Sequence, residues 1–273
     1  MVYEVDLGLN HVVRKFAEPV PASAHALIAV PGGDQQEGPS GVIVACENFI
    51  IYKKQDHADR RCTLPVRYDQ NTESGVFITN SQSFYNSELG AIIFLQSEHG
   101  DLYKVSLDQN GTDVLGMSVQ YFDTIAPSAK LTLLESGYLF AAGDCSNHKM
   151  FRFTSLGGEQ NNQSVSNSTQ LFDEEKIIKD HTDLVKFCPQ AEHSNLEVCD
   201  QIQNLACINN MVVEDLVGQG SSQIYIACGK NNNGSLRQLT HGLTVIEMAT
   251  SPMPLKPIRV VTLKSPTSKE GEL

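Results

Sequence analysis

The chain has 273 residues, with 20 Lys and Arg against 32 Asp and Glu, so its formal net charge is −12. Its 41% hydrophobic and 19% charged residues are typical of a folded globular protein and exclude a disordered chain. The negative balance argues against a general binder of the phosphate backbone, because such binding requires a positive field.

The first residues, Met1 to Leu7, are acidic and alternate in polarity. They lack the basic start and the apolar run of a secretory signal, so we expect no leader peptide. No run of about 18 apolar residues occurs anywhere, so we expect no transmembrane helix and no membrane partner.

A turn is predicted at Gly8 and Asn10, because both residues tolerate turn conformations. In the strand that follows, alternation places Val13 on the face opposite Arg14. Val13 is therefore the predicted core residue of this strand, and Leu9 and His11 are expected at the edge of its sheet.

The glycines between residues 32 and 41 could suggest a phosphate-binding loop. No Gly-Lys-[Ser/Thr] follows them, and Asp34 and Glu37 make the segment negative. A turn between strands is the favoured interpretation.

Short apolar runs rich in branched and aromatic residues indicate β-strands, and they recur as matched pairs. Each unit has a buried strand, a polar turn and a second strand with an aromatic followed by a basic residue. The opening residues Gly41, Gly90 and Gly137 lie 49 and 47 residues apart. The units are residues 41–53, 90–104, 137–152 and, more loosely, 222–237.

A period just under fifty residues is typical of β-propeller blades, each a four-stranded antiparallel sheet. We expect the first strand of each pair to be buried on both faces. The basic residues of the second strands, Lys53, Lys104 and Arg152, are expected to reach water. A β-sandwich is the alternative, because its strands are spaced similarly, but the repeat favours an incomplete propeller.

The repeat is interrupted between residues 157 and 195. Residues 157–169 are polar and of low complexity, which predicts a mobile surface loop, and residues 174–186 could hold a short helix. We place a domain boundary near residue 195. Residues 1–195 are then later blades of a first propeller, 196–263 the start of the following propeller region, and 264–273 a disordered tail.

The sequence offers no catalytic, cofactor or metal site. A carboxylate lies near an imidazole at His99-Gly-Asp101 and at Asp144-x-x-x-His148, and the equivalent positions in two repeats favour a role in the turns. Seven scattered cysteines include no Cys-x-x-Cys pair, which disfavours a zinc ribbon or a disulfide framework. We predict reduced, mostly buried thiols in a cytosolic or nuclear protein.

Several of these segments resemble the splicing factor 3b subunit 3 family, large three-propeller proteins of the U2-associated complex. The wider family includes the damaged-DNA-binding protein 1 ligase adaptor and the largest cleavage and polyadenylation specificity subunit. The resemblance runs from about residue 3 to about 254 and is expected to be lost past Pro254. It is carried by residues 3–15, 30–33, 38–42, 46–53, 121–124, 137–140, 227–229 and 235–237.

The resemblance implies a non-catalytic nuclear scaffold in pre-mRNA splicing, within the complex that supports U2 particle binding at the intron branch site. It implies two protein partners, a helical-repeat subunit and a small zinc-containing subunit, with any RNA contact indirect. A ubiquitin-ligase adaptor, a polyadenylation-factor-like propeller and a propeller enzyme are the alternatives. Because full-length members are several times longer, the chain is expected to be an internal piece.

The segment 6–15 is the predicted partner-binding surface, because Asn10-His-Val-Val-Arg14 points to the splicing branch of the family. The guanidinium of Arg14 suits a partner carboxylate. The predicted binding residues are Asp6, Leu7, Gly8, Leu9, Asn10, His11, Arg14 and Lys15.

Overall fold

The computed structural model describes residues 1–240, except 7, 9, 34–35, 70–73, 87–89, 112, 135, 158–163, 169–176, 178–183, 191, 217, 219, 221 and 231–233, together with residue 252. Within these residues the chain forms 22 β-strands, which confirms the predicted all-β class. The strands pair antiparallel apart from one two-residue pair. The described part contains no helix of the length and apolarity that crossing a membrane requires.

The N-terminal strands β1 (Val2–Asp6) and β2 (His11–Phe16) form a two-stranded hairpin. Sheet A follows, in the order β3-β6-β7-β8. A short glycine-containing hairpin of β4 and β5 lies between β3 and β6, where the sequence predicts a turn. The strands are β3 (Ala26–Ala29), β4 (Gly32–Gly33), β5 (Gln36–Pro39), β6 (Val42–Cys46), β7 (Phe49–Lys53) and β8 (Arg60–Thr63).

Asn48 shapes the tight turn between the central strands of sheet A. It adopts a φ of 67°, in the left-handed region that asparagine tolerates better than most residues. Its buried amide oxygen accepts a 2.7 Å hydrogen bond from the Val76 N–H. The turn is therefore tied to the segment that leads into the next sheet.

Sheets B and C contain the second and third predicted repeats. In sheet B, the strands β10 to β13 pair in chain order, and in sheet C β14 to β16 do the same. The strands are β9 (Val66–Arg67), β10 (Ile78–Asn86), β11 (Gly90–Ser97), β12 (Asp101–Asn110), β13 (Asp113–Thr124), β14 (Ser128–Leu134), β15 (Tyr138–Gly143) and β16 (His148–Phe153).

Part of the predicted 157–169 loop is a strand instead. Strand β17 (Val165–Asn167) pairs with Ser118–Gln120 of β13 and becomes the fifth strand of sheet B. Backbone hydrogen bonds to an edge strand need no apolar side chains, so a Ser- and Asn-rich segment can supply them. The predicted helix over 174–186 lies mostly outside the described residues, and Lys186 at its end belongs to β18 (Lys186–Phe187), which pairs parallel with β9.

Strand β19 (Leu196–Ile202) completes sheet C by pairing with β16. It therefore belongs with the elements on the N-terminal side of the boundary predicted near residue 195. The division of the chain into two propeller regions remains a prediction. Sheet D follows as β20 (Ile208–Glu214), β21 (Gln223–Cys228) and β22 (Ser235–Leu239), and residues 264–273 lie outside the described part.

The four predicted strand pairs are the pairs β6/β7, β11/β12, β15/β16 and β21/β22. One apolar cluster fills the space between sheets A and B, and a second joins sheets B and C. In the second cluster the rings of Phe94 and Phe122 meet edge to face at 4.9 Å. Successive sheets thus pack one against the next, as propeller blades do, rather than as one sandwich.

The basic residues of the second strands differ in their surroundings. Arg152 is exposed and bonds Glu197, whereas Lys53 is largely covered and bonds Glu18 and Asp59. Lys104 is half-buried: its Nζ donates to the Leu156 carbonyl at 2.6 Å, and burial lowers the pKa of its amine. The segment after β16 covers this lysine, which the repeat pattern could not show.

The cysteine prediction is wrong in part. Cys145 and Cys207 form a disulfide with a Cα–Cα distance of 5.3 Å, although 62 positions separate them in sequence. Cys188 and Cys199 are outside the disulfide but exposed, and the three buried cysteines outside it are Cys46, Cys62 and Cys228. The disulfide forms because the β15–β16 turn, which holds Cys145, meets the start of sheet D, next to Cys207. The spacing of cysteines in the sequence does not reveal this contact.

Candidate interaction surface

The predicted partner segment forms the turn and second strand of the N-terminal hairpin. The Gly8 N–H donates to Asp6 Oδ1 at 2.9 Å, and Asn10 has a φ of 49°. These two features close the turn at the residues that the sequence predicts. The strands then pair in register from Asp6 opposite His11 to Tyr3 opposite Arg14.

The structure brings most of the predicted binding residues together on this hairpin. Asp6, Gly8, Asn10, His11 and Arg14 are all exposed. Lys15 lies in strand β2, but its side chain is outside the described part, as are residues Leu7 and Leu9. Whether these residues bind a partner stays a prediction.

The strand register separates the hairpin into two faces, since residues directly opposite each other point the same way. One face carries Glu4, Asp6, His11 and Val13. The other face carries Tyr3, Val5, Val12 and Arg14, and we call it the apolar hairpin face. His11 and Arg14 therefore lie on opposite sides of the ribbon.

Val13 is not the core residue that the sequence predicts, because 42% of its surface is exposed. Alternation assigns side chains to two faces correctly, but a face is buried only where another layer covers it. In the described part of the chain, neither face of this ribbon is buried.

The apolar hairpin face combines exposed aliphatic and aromatic surface with one cation. Tyr3, Val5 and Val12 are 54%, 60% and 57% exposed. Adjacent exposed apolar side chains are typical of protein interaction sites, and tyrosine and arginine are enriched at their centres. The sequence prediction missed Tyr3, Val5 and Val12, although the alternating pattern of both strands contains the signal.

Asp101, the carboxylate of the first candidate acid–base pair, has a structural role, and so does Asp123, which the sequence pattern did not single out. The buried carboxylate of Asp101 accepts two bonds from the Arg67 guanidinium and a 2.7 Å bond from Thr124 Oγ1. The buried Asp123 accepts the N–H groups of Ser194 and Asn195 at 3.2 and 2.9 Å. Through these hydrogen bonds the two carboxylates fix neighbouring segments to sheet B.

No group of three or more His, Cys, Asp or Glu side chains that could hold a metal ion occurs within the described residues. His148 begins strand β16 opposite Ile202, so it belongs to the ladder of sheet C. The expectation that the protein has no catalytic metal remains a prediction.

Comparison with known proteins identifies close relatives. Probable splicing factor 3B subunit 3 of Dictyostelium discoideum is 39% identical over 97% of this chain, and spliceosome-associated protein 130 A of Arabidopsis thaliana is 38% identical over 98%. Splicing factor 3B subunit 3 of Drosophila melanogaster is 35% identical over 98%. In each case the match spans 21% of the relative, so the chain covers about a fifth of their length.

The expectation that the resemblance ends near Pro254 is wrong. Nineteen residues follow Pro254, whereas matches over 97% and 98% of the chain leave fewer than that outside the alignment. The prediction rested on the absence of tryptophan from this chain, and the lack of one residue type does not end a similarity.

A family model supports the same assignment from the fold. The model of the RSE1/DDB1/CPSF1 first β-propeller matches residues 1–204, which include the N-terminal hairpin and sheets A, B and C. With this match and the strand topology, the chain belongs to the RSE1/DDB1/CPSF1 first β-propeller family.

Proposed function

We propose that the chain is a non-catalytic β-propeller scaffold in pre-mRNA splicing. In this proposal it acts in the nucleus, within the complex that supports U2 particle binding at the intron branch site. The observation that carries the proposal is 35–39% identity over nearly the whole chain to proteins named as splicing factor 3B subunits or spliceosome-associated proteins.

Members of this family act in different cellular processes, so the fold alone does not show in which process this chain acts. The relatives named above favour splicing over a ubiquitin-ligase adaptor or a polyadenylation factor. The ion pair of Asp101 with Arg67 argues against Asp101 as the general base of a propeller enzyme, because a general base must be able to take up a proton.

The apolar hairpin face is the proposed contact with a protein partner, which we expect to be the helical-repeat subunit or the small zinc-containing subunit. A partner that covers Tyr3, Val5 and Val12 would remove apolar surface from water, at roughly 25 cal/mol per Å². Arg14, on the same face, would add a charge-assisted hydrogen bond to a partner carboxylate.

The test is co-purification of the tagged chain from nuclear extract, with mass spectrometry of the bound proteins. We expect splicing subunits in the wild-type sample and their loss with Val12→Asp or Arg14→Glu. Lys130→Glu is the matched control, because Lys130 is an exposed strand cation in sheet C. Recovery of ligase or polyadenylation subunits instead would overturn the proposal.

His11 provides an internal control, because it lies on the other face of the hairpin. His11→Ala should leave binding intact if the apolar hairpin face is the interface. If His11→Ala abolishes binding while Arg14→Glu does not, the opposite face is the contact surface. Circular dichroism of each variant separates lost binding from lost fold.

A further inference from the structure

A cavity of about 380 Å³ lies between sheets C and D. The β15–β16 turn and strand β19 line it from sheet C, and strand β22 lines it from sheet D. Its volume falls within the roughly 300–1,000 Å³ of common ligand sites. The Cys145–Cys207 disulfide joins the two walls.

The cavity is positively charged although the chain as a whole is strongly acidic. Lys149 and Arg237 are its charged lining residues, and no carboxylate is among the described residues that line it. The other polar lining groups are hydroxyls and amides, including Ser146 and Asn204. Two cations at a shared cavity without a balancing carboxylate indicate an anionic ligand.

Neutral groups hold Arg237 in place. Its Nε donates to Ser235 Oγ at 3.1 Å, and its Nη1 donates to Gln203 Oε1 at 2.9 Å. No carboxylate in the described part of the chain pairs with Arg237, so its charge is not neutralised there. A guanidinium fixed in this way is preorganised for an oxyanion.

We propose that this cavity binds a phosphate group carried by a side chain of a protein partner, as in phosphoserine. Arg237 supplies a planar pair of donors for the phosphate oxygens, and Lys149 supplies a second charge. A protein ligand is favoured over RNA because two cations on a chain of net charge −12 cannot follow a phosphate backbone. The proposal goes beyond the scaffold function and does not depend on it.

The first experiment titrates inorganic phosphate into the full chain at constant ionic strength, with binding followed by calorimetry or NMR. We expect saturable binding that Arg237→Gln weakens about tenfold or more, since a hydrogen bond to a charged group contributes about 1.5–3 kcal/mol. Arg237→Lys keeps the positive charge but loses the planar pair of donors, so its affinity for phosphate should lie between those of wild type and Arg237→Gln. Lys130→Gln changes the net charge equally outside the cavity and should have no effect.

The second experiment compares short peptides that contain phosphoserine, aspartate or serine with a single-stranded RNA oligonucleotide. We expect the phosphoserine peptide to bind most tightly and to compete with inorganic phosphate. The absence of saturable phosphate binding, or an equal loss in Lys130→Gln, would overturn the site. Tighter binding of the RNA would overturn the choice of a protein ligand. Because none of these probes is a splicing factor, failure here is distinct from failure of the splicing assignment.

Discussion

The guanidinium of Arg67 donates two parallel hydrogen bonds to the carboxylate of Asp101, Nε to Oδ2 and Nη2 to Oδ1, both at 2.8 Å. Asp101 begins strand β12 in sheet B, and Arg67 lies in the short β9 strand between sheets A and B. One ion pair therefore connects strand β9 to sheet B.

Replacement of Arg67 by methionine should destabilise the chain. The Asp101 side chain is only 2% exposed, so it would lose its main partner without gaining water. We expect the free energy of unfolding to fall by about 3 kcal/mol, the low end for a broken buried pair because Arg67 retains some exposure. Urea unfolding measures this change. Arg152→Met, at an exposed ion pair, should lower the free energy of unfolding much less, and equal losses would contradict the prediction.

Stability should depend on pH through His57. Its Nδ1 contacts the Gln55 carbonyl and its Nε2 contacts Asp113 Oδ1, both at 2.7 Å, and these bonds raise the pKa of His57. Because the pKa of His57 is higher in the folded state, its protonated form stabilises the fold. This stabilisation is fully present below the ordinary histidine pKa and is lost as pH rises through the folded-state pKa. The difference in melting temperature between wild type and His57→Gln should therefore shrink from pH 5 to pH 8. NMR titration showing a lowered His57 pKa would contradict this.

Truncation of Phe94 should weaken the contact between sheets B and C. Phe94 is 1% exposed and packs on the rings of Phe122 and Phe153. Phe94→Ala is expected to lower the free energy of unfolding by about 3–5 kcal/mol through lost contacts and a cavity. Leu27→Ala, at a position 75% exposed, is the control and should change it by less than about 0.5 kcal/mol. Chemical denaturation of both variants gives the comparison.

The Cys145–Cys207 disulfide should be detectable and stabilising. Non-reducing peptide mapping is expected to recover the linked pair, and a reductant should lower the melting temperature of wild type but not of Cys145→Ser. The chain-entropy model gives about 4 kcal/mol for a loop of this length. Cys199→Ser, at an exposed free thiol, should behave as wild type. Full alkylation of Cys145 and Cys207 without reduction would show that the bond does not form.

Isolated chains should associate at high concentration. Strand β20 is exposed along its whole length, and Met211, Val212 and Val213 are each about half exposed. Apolar side chains on an edge strand promote pairing with another chain. Val212→Lys should reduce the concentration dependence seen in sedimentation, whereas Lys130→Gln should not. A strictly monomeric wild type would contradict this expectation.

The repeat predicted the blades because the strands that form each hairpin are neighbours in sequence. Residues 41–53 and 90–104 contain both the buried strand and its partner, so local pattern and local pairing agree. Strand β17 and the disulfide were not predictable in the same way, since each depends on a partner more than forty residues distant. At the N-terminal hairpin, alternation showed which side chains share a face, but burial of Val13 required a covering layer that the pattern does not encode.

Strand β19 has a consequence for synthesis on the ribosome. Strand β16 ends at Phe153, but the strand that pairs with its outer edge, β19, begins only at Leu196. At about 5–20 residues per second, roughly two to nine seconds pass before that partner is translated. During this interval the third blade has an unpaired edge, to which a chaperone or a neighbouring nascent chain could bind. The speed of translation from residue 153 to residue 196 therefore sets how long this strand edge stays unpaired.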